Sequence, residues 1–297
     1  MRRIRSWGPG LLLVAPSLLA LALFVYVFLG WNVRVSFTSW RGLLPKYDNI
    51  GLDNYVALAH DQRFMQFDVP HIAIFTLVFV VGALAVGFLM ALLLDRGVVG
   101  ENVFRAVFLF PMAISFIATA IIWRWLLDNG GGESTTGLNK LLVDVGLGSW
   151  RSDWFRSSSR WAIAAIALPA GWALSGYVMS LFLAGLRGVP EELREAARVD
   201  GASEPKVFWF VVRPMLLPVL MSAIVILAHI SLKTFDLFYA MDQKNLKIDT
   251  PALYMWFTTF DGGFYARGAT IATLLLLGVA VVIVPYVWYS VRSEQRR

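Results

Sequence analysis

The chain has 297 residues, of which 58% are hydrophobic and only 15% are charged, and it has no cysteine. A typical soluble domain is about half apolar and about a quarter charged. Because the apolar excess lies in long runs, the sequence indicates a protein that crosses a membrane several times. The lack of cysteine excludes disulfides, thiolate metal sites and thiol nucleophiles. The net charge of +6 does not indicate nucleic-acid binding, because the basic residues lie in loops and at both ends.

Six apolar segments are each long enough to cross a hydrocarbon layer of ~30 Å, which takes about 20 helical residues. We therefore predict an all-α polytopic membrane fold with six transmembrane helices. The first apolar run is longer than a signal-peptide core of about 7–15 residues, so we expect it to be a retained helix. The predicted spans are 11–31, 71–94, 104–127, 161–186, 215–239 and 268–290.

The distribution of basic residues predicts the topology. With a cytoplasmic N-terminus, the cytoplasmic segments contain 13 Lys and Arg residues, and the much longer external loops contain 11. This bias places both termini inside the cell, in a multi-pass protein of the cell (inner) membrane. The predicted divisions are a first helix with its external loop (1–70), a membrane core (71–290) with a cytoplasmic loop (187–214), and a cytoplasmic tail (291–297). In the last external loop, residues 250–257 predict an interfacial helix.

A polar, helix-forming segment, residues 191–203, separates the fourth and fifth predicted spans. Pro190 suits a helix start, because the N–H that it lacks is not needed there. Glu191 and Glu192 place negative charge at the positive end of the helix dipole. Gly201 is placed to end the helix in a left-handed conformation. A short, rigid helix between two spans predicts a docking element that transmits force.

This segment resembles the characteristic loop of binding-protein-dependent ABC importer permeases. In that family, Glu-Ala-Ala is followed after three residues by Gly and, after nine more, by Ile-x-Leu-Pro. Further similar stretches, 109–116, 123–126, 182–189 and 228–237, extend the resemblance to the sugar-importing branch and its glucose/mannose-type permeases. In the last external loop, residues 242–249 differ from the Gly-Gly-Pro element of many relatives. The residues that match the loop pattern are Glu195, Ala196, Ala197 and Gly201, with Val211 in place of Ile, Pro214 at the final Pro and Arg213 replacing Leu.

The resemblance implies a type I ABC importer permease fold and a set of partners. These are ATP-binding subunits, a second homologous permease subunit, an extracytoplasmic sugar-binding protein, the sugar itself and membrane lipid. The sequence contains no Gly-x-x-x-x-Gly-Lys-Ser/Thr phosphate loop, so we expect no ATPase activity in this chain, and the energy must come from a partner or from an ion gradient. The resemblance implies a transport subunit that is not an enzyme and binds no cofactor itself. ATP and Mg²⁺ would be used by the partner ATPase.

The resemblance also assigns the polar segment a role as a coupling helix seated in a cleft of the ATPase. Small alanines allow close approach, and carboxylates can pair with basic groups or cap backbone N–H groups on the partner. The alternative is a helix packed against its own membrane domain. The residues implied to couple the permease to the ATPase are Glu195, Ala196, Ala197, Asp200 and Gly201.

Polar and aromatic side chains within the spans are candidates for a sugar path, because polar groups are costly at membrane depth. In the fifth span, spacings of four and three residues predict that His229, Lys233 and Asp236 share a helix face, with an ion pair between Lys233 and Asp236. The alternative is structural: aromatic side chains that pack or anchor, and a charged pair that reaches water at the outer end. The path candidates are Ser115, Thr119, Trp172, Ser175, Tyr177, His229, Lys233 and Asp236.

Two other functions are weighed against this prediction. An ion-coupled secondary transporter could use Lys233 and Asp236 as a proton site, but it would be expected to show repeated halves, and none is evident in the sequence. A membrane enzyme would need a converging nucleophile–base pair or metal cluster. The sequence therefore favours a permease subunit that imports a sugar by alternating access.

Overall fold

The computed structural model describes residues 8–130, 135–242 and 245–294. Within these ranges the chain is helical and forms no strand, with one isolated bridge between Thr38 and Asn49. The all-α prediction is confirmed. The basic residues at positions 2, 3 and 5, together with residues 243–244 and 295–297, lie outside the described residues.

Short π-helical and 3-10 segments extend or connect several of the helices. The fourteen α-helices of the described ranges are α1 Gly8–Leu21, α2 Phe28–Ser36, α3 Asp53–Ala59, α4 Val69–Asp95, α5 Glu101–Leu109, α6 Phe116–Leu126, α7 Gly137–Asp144, α8 Ala167–Arg187, α9 Glu191–Val199, α10 Glu204–Val207, α11 Arg213–Lys233, α12 Asp236–Asp242, α13 Pro251–Trp256 and α14 Tyr265–Glu294.

Five helical segments of the described chain are long and apolar enough to cross a membrane, and a broken pair provides a sixth. The broken pair is Glu101–Ala113 and Phe116–Leu126, bent by 98°. This agrees with the six predicted spans when the broken pair is counted as one span, and the bend within the span at 104–127 was not predicted. The five unbroken segments are Leu13–Ser36, Phe64–Asp95, Trp161–Arg187, Glu204–Lys233 and Tyr265–Trp288.

The bend in the third span has a local cause. Phe110–Ala113 forms a 3-10 turn that contains Pro111, which lacks the N–H needed to continue an α-helix. Ser115 then adopts an extended conformation, with ψ of 149°, and its Oγ accepts a hydrogen bond from the Ala118 amide at 3.2 Å. Ser115 therefore acts as the N-cap of a new helix.

The predicted fifth span, 215–239, is also interrupted. Helix α11 ends at Lys233, Thr234 is extended with ψ of 112°, and α12 begins at Asp236. The Thr234 hydroxyl donates a hydrogen bond to the Ile230 carbonyl oxygen at 2.7 Å, which satisfies one of the acceptors left at the helix end. Lys233 and Asp236 flank this break, but apolar residues resume at Leu237, so the sequence was interpreted as one continuous span.

The chain forms two compact units, and the first consists of Met1–Asp61 and Tyr254–Leu276. The Asn32 side-chain amide donates hydrogen bonds to the Ala269 carbonyl oxygen at 3.2 Å and to the Thr273 hydroxyl at 3.1 Å. Side chains that hydrogen-bond between helices help to hold membrane helices together. These two bonds therefore join the first span to the last one.

The second unit consists of Gln62–Leu253 and Leu277–Arg297, and α8 is its central helix. About two thirds of the apolar stretch around α8, 67%, is buried. A Cβ at Gly176 would clash with the Phe108 carbonyl oxygen. Small residues allow membrane helices to approach closely in this way. The close contact fixes α8 against the end of α5.

The predicted helix at 250–257 is present as α13, which continues into the π-helix Phe257–Asp261. However, Thr250, Leu253 and Tyr254 are buried within the protein. A helix lying on the membrane surface would instead turn its apolar face outward. The helical part of the prediction is correct, and the interfacial placement is not supported by this burial.

Candidate functional site

The loop between α8 and α11 contains α9, a helix with defined ends. Pro190 lies just before its first residue, with φ of −56°. Gly201 has φ of +81°, a left-handed conformation that costs other residues energy. The Ala202 amide bonds to the Ala197 carbonyl oxygen at 2.9 Å, and the Gly201 amide bonds to that of Arg198 at 3.0 Å. These two bonds form a Schellman motif, which ends the helix where the sequence predicts.

Arg198 links the beginning of α9 to the segment that follows the turn. Its guanidinium lies 2.9 Å from a Glu191 carboxylate oxygen and 2.7 Å from one of Glu204. The hydrogen bonds with Glu204 and then Glu191 raise the pKa of Arg198 above its usual value, so it remains charged. Because these ion pairs are exposed to water, their contribution to stability is small. Their role is to favour one loop conformation.

Arg194 attaches α9 to the membrane helices. Its Nη2 donates a hydrogen bond to the Leu186 carbonyl oxygen at 2.7 Å, near the end of α8. Its Nη1 lies 3.9 Å from Asp95, the last residue of α4. The Arg194 side chain is only 18% exposed, so these contacts are partly shielded from water. One face of α9 is therefore held against the ends of two spans.

The opposite face of α9 is open. Leu193 and Val199 are 48% and 87% exposed, and Ala196 between them is also exposed. Residues three apart lie on one side of a helix, so these three form an apolar strip, which we call the α9 strip. Glu195 and Asp200 are exposed beside it, and neither forms an ion pair with the described residues.

The predicted coupling residues therefore divide according to exposure. Glu195, Ala196, Asp200 and Gly201 are exposed, whereas Ala197 is half-buried. The attachment of one face and the exposure of the other mean that α9 is not packed wholly against its own domain. Sequence reasoning missed the part played by Arg194, because its partners are distant in sequence.

A cavity of about 250 Å³ lies beside the break between α11 and α12, and His229, Lys233 and Asp236 all line it. Phe116 and Thr234 contribute to the same wall. His229 Nδ1 is buried and has no hydrogen-bond partner within the described ranges. The prediction that these three polar residues share one surface agrees with this arrangement.

The predicted ion pair between Lys233 and Asp236 was wrong. No contact of 4.0 Å or less joins their charged groups in the described structure. The i, i+3 argument requires an unbroken helix, and the helix is interrupted at Thr234. Both side chains are instead exposed at the cavity.

The candidates on the third span have different surroundings. Ser115 is exposed and caps α6, so its hydroxyl already has a structural role. Thr119 is fully buried, and its Oγ1 has no hydrogen-bond partner in the part of the chain that is described. Neither residue lines the cavity, but Phe116, which follows Ser115, does. An isolated Phe in an apolar span offers no sequence signal for such a position.

The candidates on the fourth span form a separate group on α8. Trp172 packs edge-on against Trp123, with ring centroids 6.2 Å apart. The Ser175 hydroxyl is directed to the Trp172 carbonyl oxygen at 3.4 Å, and Ser175 is buried. Tyr177 is half-buried. None of these lines the His229 cavity, so the structure brings only three of the eight path candidates together there.

The known proteins that this chain resembles are membrane transport components, in agreement with the helical membrane fold described above. A family model described as binding-protein-dependent transport system inner membrane component matches residues 83–296. A probable ABC transporter permease protein of Pyrococcus horikoshii is 37% identical over 298 residues, covering 100% of both chains. Xylose/arabinose import permease protein XacH of Haloferax volcanii is 34% identical over 276 residues, covering 91% of this chain and 84% of the relative.

The fold also matches that of a solved structure. A chain of a bacterial ABC transporter involved in the import of the acidic polysaccharide alginate superposes with a TM-score of 0.79 and 20% identity. The match covers 98% of this chain and 99% of that chain. The predicted type I ABC importer permease fold is therefore confirmed.

Proposed function

The chain belongs to the family of binding-protein-dependent transport system inner membrane components, and we propose that it is the permease subunit of a sugar importer driven by a separate ATPase. Its partners would be ATP-binding subunits that hydrolyse Mg²⁺-ATP, a second homologous permease and an extracytoplasmic sugar-binding protein. Family membership does not favour the ion-coupled alternative, and a permease is a transport subunit rather than a catalytic one.

The exposed α9 strip is the observation that carries the coupling part of the proposal. The helix is held on one side by Arg194 and is open on the other, as a transmitting element must be. A force applied to the strip would reach α8 and α4 through Leu186 and Asp95. ATP-driven closure can switch the permease only if the ATPase binds its two states with different affinity.

Substitution of Val199 tests the docking assignment. Val199 is 87% exposed, so Val199→Asp should leave the fold intact, but it would bury a charge in an ATPase cleft. We expect at least a tenfold loss of ATPase binding, which corresponds to about 1.4 kcal/mol. The measurement is co-purification of the ATPase with tagged permease from membranes that contain equal amounts of each variant.

Val99→Asp is the matched control, because Val99 is 95% exposed in the loop between α4 and α5 and lies outside the strip. Glu195→Lys should likewise impair assembly or coupling while insertion remains normal. Normal transport by Glu195→Lys at normal expression, or equal losses for the two valine variants, would exclude docking through α9.

For the sugar path, we propose the His229 cavity together with the polar residues of α6 and α8. Asp236 and Lys233 supply charged hydrogen-bonding groups beside the aromatic ring of Phe116, a combination that suits a hydroxyl-rich ligand. Trp172, Ser175, Tyr177, Ser115 and Thr119 remain proposed path residues, reached in another state of the transport cycle.

Asp236→Asn tests the path, because it removes the charge and one strong acceptor with little change in volume. We expect transport to fall by about tenfold at unchanged expression, as for a lost charged hydrogen bond. Asp144→Asn is the control, since Asp144 is an exposed carboxylate on α7 outside the cavity. The path assignment fails if Asp236→Asn transports normally or if both variants lose transport equally.

The substrate class is proposed from the resemblance and from the relatives' names. The sequence resemblance points to glucose, mannose or a related sugar, whereas the name of the Haloferax relative refers to xylose and arabinose. A calorimetric ligand screen on the cognate binding protein separates hexoses from pentoses, because that protein selects the sugar before the permease does.

We also propose the topology and divisions stated from the sequence. Both termini and the loop 187–214 would face the cytoplasm. Residues 1–70 would form the first helix and its external loop, 71–290 the membrane core, and 291–297 the cytoplasmic tail. Accessibility labelling of single cysteines in this cysteine-free chain tests the topology directly. Labelling of position 199 from outside intact cells would contradict it.

A further inference from the structure

An apolar groove of about 340 Å³ runs between α4, α8 and the start of α11, and it shares no lining residue with the His229 cavity or the α9 strip. Phe182 packs against Phe88 with ring centroids 5.0 Å apart, and Phe88 lies 6.2 Å from Phe208. Phe208 in turn contacts Trp209. The groove therefore has a continuous aromatic wall, and its volume is within the usual range for ligand pockets, about 300–1,000 Å³.

Of the described residues that line this groove, one is charged. The Arg213 guanidinium carbon lies 4.9 Å from the centre of the Trp209 ring, at the end of the aromatic wall. No carboxylate of the described residues lies within 4.0 Å of its guanidinium nitrogens, although other arginines of the same loop all have such partners. Arg213 is exposed, and an unpaired cation beside an apolar groove is complementary to an anion that carries a hydrophobic chain.

The position of Arg213 along the helix agrees with a headgroup contact. The crossing segment Glu204–Lys233 has 30 residues, more than a hydrocarbon layer of ~30 Å requires at 1.5 Å per residue. Within it, no Asp, Glu, Lys or Arg lies between Arg213 and Lys233, so the uncharged part of the helix begins next to Arg213 and places it at the boundary with the headgroups. Trp209 is 55% exposed beside it, as expected for an aromatic residue at the membrane interface.

The backbone next to Arg213 departs from α-helical geometry. Residues Phe208–Val212 form a π-helix, which joins α10 to α11. A π-helical turn is wider than an α-helical turn and is frequently found at functional sites. Here the π-helix supplies both aromatic residues of the groove mouth, Phe208 and Trp209.

We propose that this groove binds one anionic phospholipid, with an acyl chain against the aromatic wall and the phosphate on Arg213. The leaflet is the one on the side of the α9 loop. Basic pockets between transmembrane helices bind anionic headgroups by this chemistry. Arg213 stands where the family pattern has Leu. The proposed site gives it a function distinct from sugar translocation and ATPase docking.

The test is native mass spectrometry of the full chain released from nanodiscs that contain equal amounts of phosphatidylglycerol and phosphatidylcholine. The wild type should retain phosphatidylglycerol about tenfold over phosphatidylcholine, as expected when a charge-assisted hydrogen bond selects the headgroup. Arg213→Gln should lose this preference. Ala85→Trp should prevent retention of either lipid, because Ala85 is exposed and lines the groove.

Two control variants keep the test specific. Arg292 lies 3.8 Å from the Trp288 ring but does not line the groove, so Arg292→Gln should retain the lipid preference. Val86→Trp places the same indole ring on the neighbouring exposed position of α4, which does not line the groove, and should behave like the wild type. These variants separate a groove site from general interfacial attraction.

Several results would overturn the proposal. They are an unchanged preference in Arg213→Gln, an equal loss in Arg292→Gln, or full lipid retention in Ala85→Trp. Displacement of the lipid by millimolar glycerol phosphate would show an anion site that does not need the chain. A cross-link from position 220, in the groove, to a second permease in the assembled importer would show that a protein occupies it instead.

Discussion

Arg194 contributes more to the position of α9 than its neighbours in the family motif do. The hydrogen bond that it donates to the Leu186 carbonyl oxygen is short, at 2.7 Å, and its side chain is largely shielded from water. Hydrogen bonds that involve a charged group contribute about 1.5–3 kcal/mol, more than exposed ion pairs do. Arg194 is therefore a positioning residue, which keeps the α9 strip in a fixed relation to α8 and α4.

Arg194→Gln should loosen α9 without unfolding the membrane helices. We expect amide hydrogen exchange in α9 to accelerate by about tenfold, as for a local loss of about 1.4 kcal/mol. Arg198→Gln is the control, because Arg198 is 41% exposed and its ion-pair partners among the described residues are Glu191 and Glu204. Equal exchange rates in the two variants would show that the Leu186 contact does not hold the helix.

The helix ends show how far local sequence determines an element. Pro190 and Gly201 mark the two ends of α9 in the sequence, because their backbone preferences act without distant partners. The breaks at Ser115 and Thr234 were not predicted, because apolar residues continue on both sides of each. At Ser115 the break has a local cause in Pro111, but proline is tolerated within membrane helices, so its presence alone does not indicate a break.

Gly201→Ala tests the end of α9. A Cβ at Gly201 would meet nothing within 4 Å, so the cost is conformational alone, about 1–2 kcal/mol. We expect faster proteolysis of the loop 187–214 and weaker ATPase binding. Gly201→Asn should be milder, since Asn tolerates the left-handed region. If both variants show the same loop proteolysis and ATPase binding as the wild type, the left-handed turn does not control the position of α9.

Gly176→Ala tests the close packing of α8. The added Cβ would meet the Phe108 carbonyl oxygen, so backbone must move, and overpacking of this kind costs about 1–3 kcal/mol. Gly171→Ala on the same helix is the control, because its Cβ would meet nothing within 4 Å. Thermal unfolding in detergent should show a lower midpoint for Gly176→Ala and an unchanged midpoint for Gly171→Ala. An equal decrease in the midpoint for both variants would contradict the close packing at Gly176.

At the scale of the whole molecule, composition and helix length predicted the membrane class and the span count, because these depend on sums over many residues. The site was only partly predictable. His229, Lys233 and Asp236 do line one cavity, but the Lys233–Asp236 pair was lost at the helix break. The contact between Arg194 and Asp95 joins distant parts of the chain, so no local pattern could indicate it.

The central claim is that this permease transports sugar with energy received through α9. Its most direct test is sugar uptake into proteoliposomes that contain the permease with its partner permease and ATPase, with the binding protein outside and Mg²⁺-ATP inside. Uptake should require both ATP and the binding protein, and Val199→Asp should abolish it while Val99→Asp does not. Uptake that continues without ATP, or that follows an imposed proton gradient, would contradict the account.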